Sequence, residues 1–151
     1  MSWLSEEKMS RLIKRNADKF TQDAFQGFYS IDTLPESIAR YPFFMIVNTQ
    51  ARNLEGEHWL IVFIDKERRG EIFDSFALPL ANILIRWINR FSRSFSNNKL
   101  MYQHPLTGTC GSFVLYFLMN RLSDSKCISH KFTSSLVENE KRIMSFYHSL
   151  K

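Results

Sequence analysis

The chain has 151 residues, 44% of them hydrophobic, and a formal net charge of +5 at pH 7. That length suits one domain around one core. Two cysteines, Cys110 and Cys127, are too few for a disulfide framework and point to a reducing, intracellular compartment rather than secretion. The N-terminal MSWLSEEKMSRL has acidic residues where an export signal would have an apolar stretch, and the longest apolar run is too short to span a bilayer. The basic excess is explained by a solvated face, with contact to DNA or RNA as the second reading.

Residues 5–19 read as a first helix, with Met9, Leu12, Ile13 and Phe20 near helical spacing and Glu6 and Glu7 in the first turn. Its outer face carries Lys8, Arg11, Lys14, Arg15 and Lys19. Residues 25–38 mix aromatic side chains with Gly27 and Pro35 and read as an irregular loop. Residues 43–49 (FFMIVNT) and 58–64 (HWLIVFI) are apolar and β-branched, as buried strands are. A turn at 65–69 joins the second of these to a third strand, EIFDSF at 71–76, making a hairpin. Pro79 opens an amphipathic helix whose Ile83, Trp87 and Phe91 share one face, and residues 92–98 form a loop. A short strand at 99–103 then leads into QHPLTGTCGSF, and the apolar run from Ser112 to Met119 reads as a buried helix. A last helix over 137–150 turns Ile143, Phe146 and Leu150 inward. Strands grouped between helices give an α+β domain covering residues 1–151, with a small, mostly antiparallel central sheet.

Cys110 begins the buried helix, where unsatisfied N–H groups and the macrodipole favour an anion such as a thiolate. By itself a lone cysteine there is more simply a gap-filling core residue. A cysteine nucleophile needs a base, a group that orients the base, and donors for the oxyanion. His58 stands at the mouth of a strand, and Asp74 lies on the partner strand. With the turn centred on Lys66 the two are directly opposed on one face, ~5 Å apart at Cβ. Asp74 then accepts from Nδ1 of His58 and leaves Nε2 for the thiol. A register slip of two keeps the pair on one face as a diagonal; a slip of one breaks it. A carboxylate inside a buried strand is costly unless paired, which favours a role for Asp74. Gln103 is an uncharged N–H donor that can complete an oxyanion hole with the Cys110 amide. The chain lacks CxxC and HExxH, so a metal site is not expected and no cofactor is required.

The ordered set His58, Trp59, Asp74, Gln103, Cys110, Gly111, with seven residues from Gln to Cys, resembles the adenain (adenovirus protease) family, which has relatives in virus-like transposons and other DNA viruses. SEEKMSRLIK, GFYS, IVNT, EHWLIVFI, IFDSF, QHPLTGTCGSF and ENEKRIMSFYHSL are similar to that family's successive segments, nearly end to end. The resemblance implies a cysteine endopeptidase with a papain-like core in rearranged chain order. Cys110 would be the nucleophile, His58 the base and then acid, and Asp74 the orienting acid. Gln103 with the Cys110 amide would form the oxyanion hole. Trp59 would either pack over the site or belong to the core, and Gly111 would adjoin the site. Implied substrates are capsid or core precursor polypeptides cut after glycine-containing sites, in the virion and the host nucleus or cytoplasm, by a monomer with no membrane partner.

The same resemblance implies stimulation by viral DNA and by an activating peptide. The cysteine that tethers such a peptide upstream of the Gln has no counterpart, since residues 90–102 hold none. Cys127 reads as an ordinary thiol. The candidate DNA contacts are Lys8, Arg11, Lys14, Arg15, Lys66, Arg68, Arg69, Lys141 and Arg142. Two alternatives stay open: a protease of the same clan acting on SUMO- or ubiquitin-like modifiers, and a catalytically inactive DNA-binding or structural relative.

Overall fold

Two apolar strands with no polar alternation must be covered on both faces, and the fold supplies a layer on each side. A computed structural model describes residues 4–49, 58–124 and 131–151. In chain order the elements are α1 (Glu6–Asn16), α2 (Lys19–Ala24), β1 (Phe25–Ser30), β2 (Phe43–Asn48), β3 (Trp59–Ile64), β4 (Arg69–Phe73), α3 (Asn82–Phe91), β5 (Ser94–Asn97), α4 (Cys110–Asn120) and α5 (Leu136–Ser149). The strands form one five-stranded sheet in the order β1-β2-β3-β4-β5. The β2–β3 and β3–β4 pairs are antiparallel, whereas β1–β2 and β4–β5 are parallel. The sheet is therefore evenly mixed, where the sequence had suggested a mostly antiparallel one.

Alternate residues of the central strands face opposite layers, as strand geometry requires. Phe44, Ile46, Trp59, Ile61, Phe63 and Phe73 pack with α4, and Met9 and Ile143 bring α1 and α5 to the same core. Met45, Val47, Leu60, Val62 and Ile72 pack on the other face against Leu84, Trp87 and Ile88 of α3. In α4, Phe117 stacks on Phe73 at 5.2 Å and meets Phe44 edge-on at 6.4 Å, which fixes the helix against the sheet. Phe73 also stacks on Tyr102 at 6.2 Å, so the core holds the residue just before Gln103.

Several boundaries differ from expectation for local reasons. Ser5 caps α1 by accepting from the Lys8 amide, but Ala17 is extended and Asp18 caps a second helix, splitting the expected 5–19 segment. The stretch expected as loop at 25–38 begins with β1, an edge strand whose register shifts between Phe25 and Phe28, around Gly27 at φ 126. In α3 the buried face is Leu84, Trp87, Ile88 and Phe91, while Ile83 is exposed. The fifth strand is Ser94–Asn97 rather than 99–103, because Arg69 to Ile72 pair with that earlier segment.

Candidate active site

The β3–β4 hairpin sets the first half of the site. Its register pairs Ile61 with Phe73, Val62 with Ile72 and Ile64 with Gly70, so the turn centres on Glu67 rather than Lys66. Arg68 in the left-handed region (φ 66) lets a three-residue turn close here, with the Arg68 amide donating to the Asp65 carbonyl at 3.0 Å. The pairing thus slips by two from the expected register, and His58 and Asp74 are diagonal rather than directly opposed. They stand just beyond the strand ends, and His58 Nε2 lies 2.7 Å from Asp74 Oδ1. Extending the same register places Phe76 opposite His58, and their rings stack at 4.9 Å and 25°.

Asp74 is only 4% exposed, yet its carboxylate is well supplied with donors. Oδ1 also accepts from the Phe76 amide at 2.9 Å, and Oδ2 accepts from the Leu78 amide at 3.3 Å. The Asn98 side chain clamps the Asp74 backbone, accepting from its N–H at 3.0 Å and donating to its carbonyl at 2.7 Å. These contacts satisfy a buried carboxylate that would otherwise cost several kcal/mol.

The imidazole is turned opposite to expectation: Nε2, not Nδ1, meets Asp74. Nδ1 is buried and lacks a partner in strict hydrogen-bond geometry among the described residues. The His58 pKa is nevertheless raised from 6.5 to about 9. Burial opposes the charge; hydrogen bonding by Asp74 and then Cys110, together with their negative charges, overcomes it. Cys110 thus acts on the ring, and Nδ1 is the ring nitrogen that Asp74 leaves unused.

Cys110 is the first residue of α4, after Thr109 as N-cap. It is fully buried, which is more enclosed than the sequence suggests for a nucleophile at a cleft. Gly111 serves packing: a Cβ there would meet Leu4 Cβ at 3.0 Å and Met9 Sδ at 3.3 Å, so its bare backbone lets the N-terminal segment and α1 lie against α4.

Gln103 is also fully buried. Its Oε1 accepts from the Ser75 hydroxyl at 2.6 Å, which leaves Nε2 as the donor end of the amide. Nε2 donates to the Thr107 carbonyl at 2.9 Å and lies 3.5 Å from the Thr107 hydroxyl. Backbone bonds from the Tyr102 and Gln103 amides to the Ser75 carbonyl, at 2.8 and 3.1 Å, tie this segment to the residue after Asp74. The structure thus joins His58 to Asp74 directly, Cys110 to His58 through its effect on the ring, and Gln103 to the turn that follows Asp74.

Other expectations fare differently. Trp59 is 7% exposed and packs edge-on against Phe28 in the α4-side core, the cluster that also holds Cys110. Lys8, Arg11, Lys14, Arg15, Lys66, Arg68, Arg69, Lys141 and Arg142 are all exposed. Lys66, Arg68 and Arg69 lie at the far end of the hairpin from His58, and Arg69 is paired with Asp65 at 3.0 Å and Glu67 at 3.7 Å. Cys127 and the loop at 50–57 lie outside the described residues. Sequence reading missed Ser75, Phe76 and Asn98, although Ser75 and Phe76 stand beside the acid in FDSF; Asn98, twenty-four residues away, has no local signal.

No protein-family profile and no curated protein sequence matches the chain. Solved structures do. A crystal structure of the ASFV protease superposes with a TM-score of 0.61 at 19% identity, covering 85% of this chain and 60% of that one. ChlaDub1 from Chlamydia trachomatis gives 0.54 at 19% identity, with 71% and 57% covered. The central domain of the uncharacterized Lpg1148 protein from Legionella pneumophila gives 0.52 at 13% identity, with 97% and 94% covered. This chain therefore spans less than two thirds of the ASFV and Chlamydia chains. What these likenesses establish is the fold: an α+β core, shared with the ASFV protease, in which a five-stranded sheet is flanked by helices.

Proposed function

We propose that the chain is a cysteine endopeptidase of the adenain type. The observation that carries this reading is the 2.7 Å bond from His58 Nε2 to Asp74, on a ring whose pKa is raised jointly by Asp74 and Cys110. Three residues far apart in sequence act on one another, and the imidazolium they favour is the acid a departing amine needs. The Cys110 thiolate attacks the scissile carbonyl carbon, and the oxyanion takes N–H donors from the Cys110 backbone and Gln103 Nε2. His58 passes its proton from Nδ1 to the leaving amine, and the C–N bond breaks to leave a thioester on Cys110. Water, giving a proton to His58, then attacks the thioester and releases the acid, while the thiolate–imidazolium pair re-forms. Ser75 holds Gln103 in the orientation this scheme requires.

Substrates under this reading are precursor polypeptides cut after glycine, and likeness to a viral protease supports that choice. Likeness to ChlaDub1 keeps a modifier protease as the second reading. A Gly-containing peptide library assayed beside ubiquitin and SUMO fluorogenic conjugates separates the two. The enzyme reading itself is tested by iodoacetamide at neutral pH, with peptide mass mapping. Cys110 should alkylate at least 10-fold faster than Cys127, since the thiolate rather than the thiol reacts. Equal, slow rates would leave an inactive scaffold. Adding DNA to the peptide assay tests stimulation through the exposed cations of α1, α5 and the hairpin turn.

A further inference from the structure

One carboxylate outside the triad holds the loop that carries both the oxyanion amide and the nucleophile. Glu140, half-buried on α5, reaches across to residues 104–109. Its Oε1 accepts from the Thr107 hydroxyl at 2.6 Å and from the His104 backbone N–H at 3.0 Å. The Thr109 hydroxyl oxygen lies 3.0 Å from each of Oε1 and Oε2, to which it donates, and 3.0 Å from the Thr107 hydroxyl. Thr109 is the residue immediately before Cys110, and Thr107 is the residue whose carbonyl takes one N–H of Gln103. The Thr107 hydroxyl, whose shortest contact is to Glu140 and which also has the His104 carbonyl and the Thr109 hydroxyl within 3.0 Å, stands 3.5 Å from Gln103 Nε2 as an acceptor. A carboxylate only accepts, so it can order several donors at once without a choice of flip.

We propose that Glu140 is a positioning residue for the oxyanion hole, acting through Thr107 on Gln103 and through Thr109 on the Cys110 amide. This rests on the cysteine-peptidase reading above. Glu140 touches no reacting atom. Its neighbour Asn139 anchors the other side of the same segment, donating to the Tyr102 carbonyl at 3.2 Å. The loop between Gln103 and Cys110 is thus held by α5 in addition to its own turn, closed by the Thr107 amide donating to the His104 carbonyl at 3.1 Å. Small misplacement of catalytic groups costs up to about 100-fold in rate.

The test exploits a chemical difference. Acyl transfer passes through an oxyanion and needs the hole, whereas alkylation by iodoacetamide displaces iodide at carbon and forms no oxyanion. Glu140→Gln keeps the volume but replaces one acceptor oxygen by an NH2 donor. Thr107→Val removes the hydroxyl that links Glu140 to Gln103. On a Gly-containing fluorogenic peptide, each variant should lower kcat about 10- to 100-fold with KM within about twofold. The rate of Cys110 alkylation should stay within about threefold of wild type. The double variant should be no slower than the slower single variant, because both act along one chain of contacts. An unchanged kcat in Glu140→Gln, parallel loss of turnover and alkylation, or multiplying effects in the double variant would each overturn the proposal. If the wild-type chain cleaves no peptide and Cys110 shows no enhanced alkylation, the enzyme reading fails first and this role with it.

Discussion

Asp74→Asn isolates the charge of the orienting acid from its geometry. Asn Oδ1 can still accept from His58 Nε2 and the Phe76 amide, which now meet Asp74 Oδ1 at 2.7 and 2.9 Å, so the ring stays oriented. What disappears is the negative charge. The imidazole is lifted from 6.5 to about 9 against the pull of burial. At ~1.4 kcal/mol per pKa unit, its partners together supply at least ~3 kcal/mol in favour of the imidazolium. Asp74 and Cys110 are those partners, with the Asp74 hydrogen bond the larger of the favourable contributions. Asp74 is therefore the leading stabiliser of the imidazolium, and removing its charge should lower the ring pKa. Deprotonation removes the acid that the leaving amine requires, so activity falls as pH rises through the His58 pKa. The assay is the pH profile of kcat/KM on a Gly-containing fluorogenic peptide. The wild-type alkaline limb should centre near 9, and that of Asp74→Asn should lie at lower pH. The new amide NH2 would face the Leu78 N–H that Oδ2 now accepts at 3.3 Å, costing ~1 kcal/mol of stability. An alkaline limb that does not move, in a variant that remains folded, would refute the electrostatic account of His58.

Further outcomes follow from the same geometry. Cys110→Ala and His58→Ala should abolish cleavage while circular dichroism and thermal melts report a folded chain; measurable turnover in the His58 variant would overturn its assignment. Ser75→Ala removes the 2.6 Å bond to Gln103 Oε1 inside a buried pair, so kcat should fall about 10-fold and stability by ~1–3 kcal/mol, read by peptide kinetics and urea denaturation. His58 also makes stability pH-dependent, and the sign is fixed by its raised pKa. Its contribution, up to ~3 kcal/mol, is fully present below pH 6.5 and is lost as pH rises through about 9. Urea midpoints between pH 6 and 10 should decline across that window, and the decline should vanish in His58→Ala.

Much of this architecture can be read from residue order. FFMIV and WLIVFI announce strands covered on both sides, because unbroken apolar runs must meet a layer on each face. Cys110 ahead of GSFVLYFL announces a buried helix with the cysteine at its start, and the spacing of His58 and Asp74 around a turn announces a shared face. The shared face survived a register slip of two because side chains alternate with a period of two.

Other features depend on contacts between distant segments. The β1 edge strand is half-buried at four of its six residues and shifts register around Gly27, so its pairing with β2 supplies the order that its own pattern lacks. β5 is chosen by β4: SFSN has no strong strand signal until Arg69 to Ile72 pair with it. The turn type moved the hairpin centre, since Arg68 adopts a left-handed conformation that composition does not announce.

Sequence by itself determined which residues carry thiol, imidazole, carboxylate and amide, and that two apolar strands and one apolar helix would form the core around them. Tertiary structure alone decided which imidazole nitrogen meets Asp74, that Trp59 belongs to the core, that Cys110 is enclosed, and that Ser75 and Glu140 hold the Gln103–Cys110 segment. The division has a physical cause. Periodicity and local spacing fix which face a side chain takes. Ring orientation and hydrogen bonds between distant segments, such as His104 to Glu140 thirty-six residues on, are settled only when the layers pack.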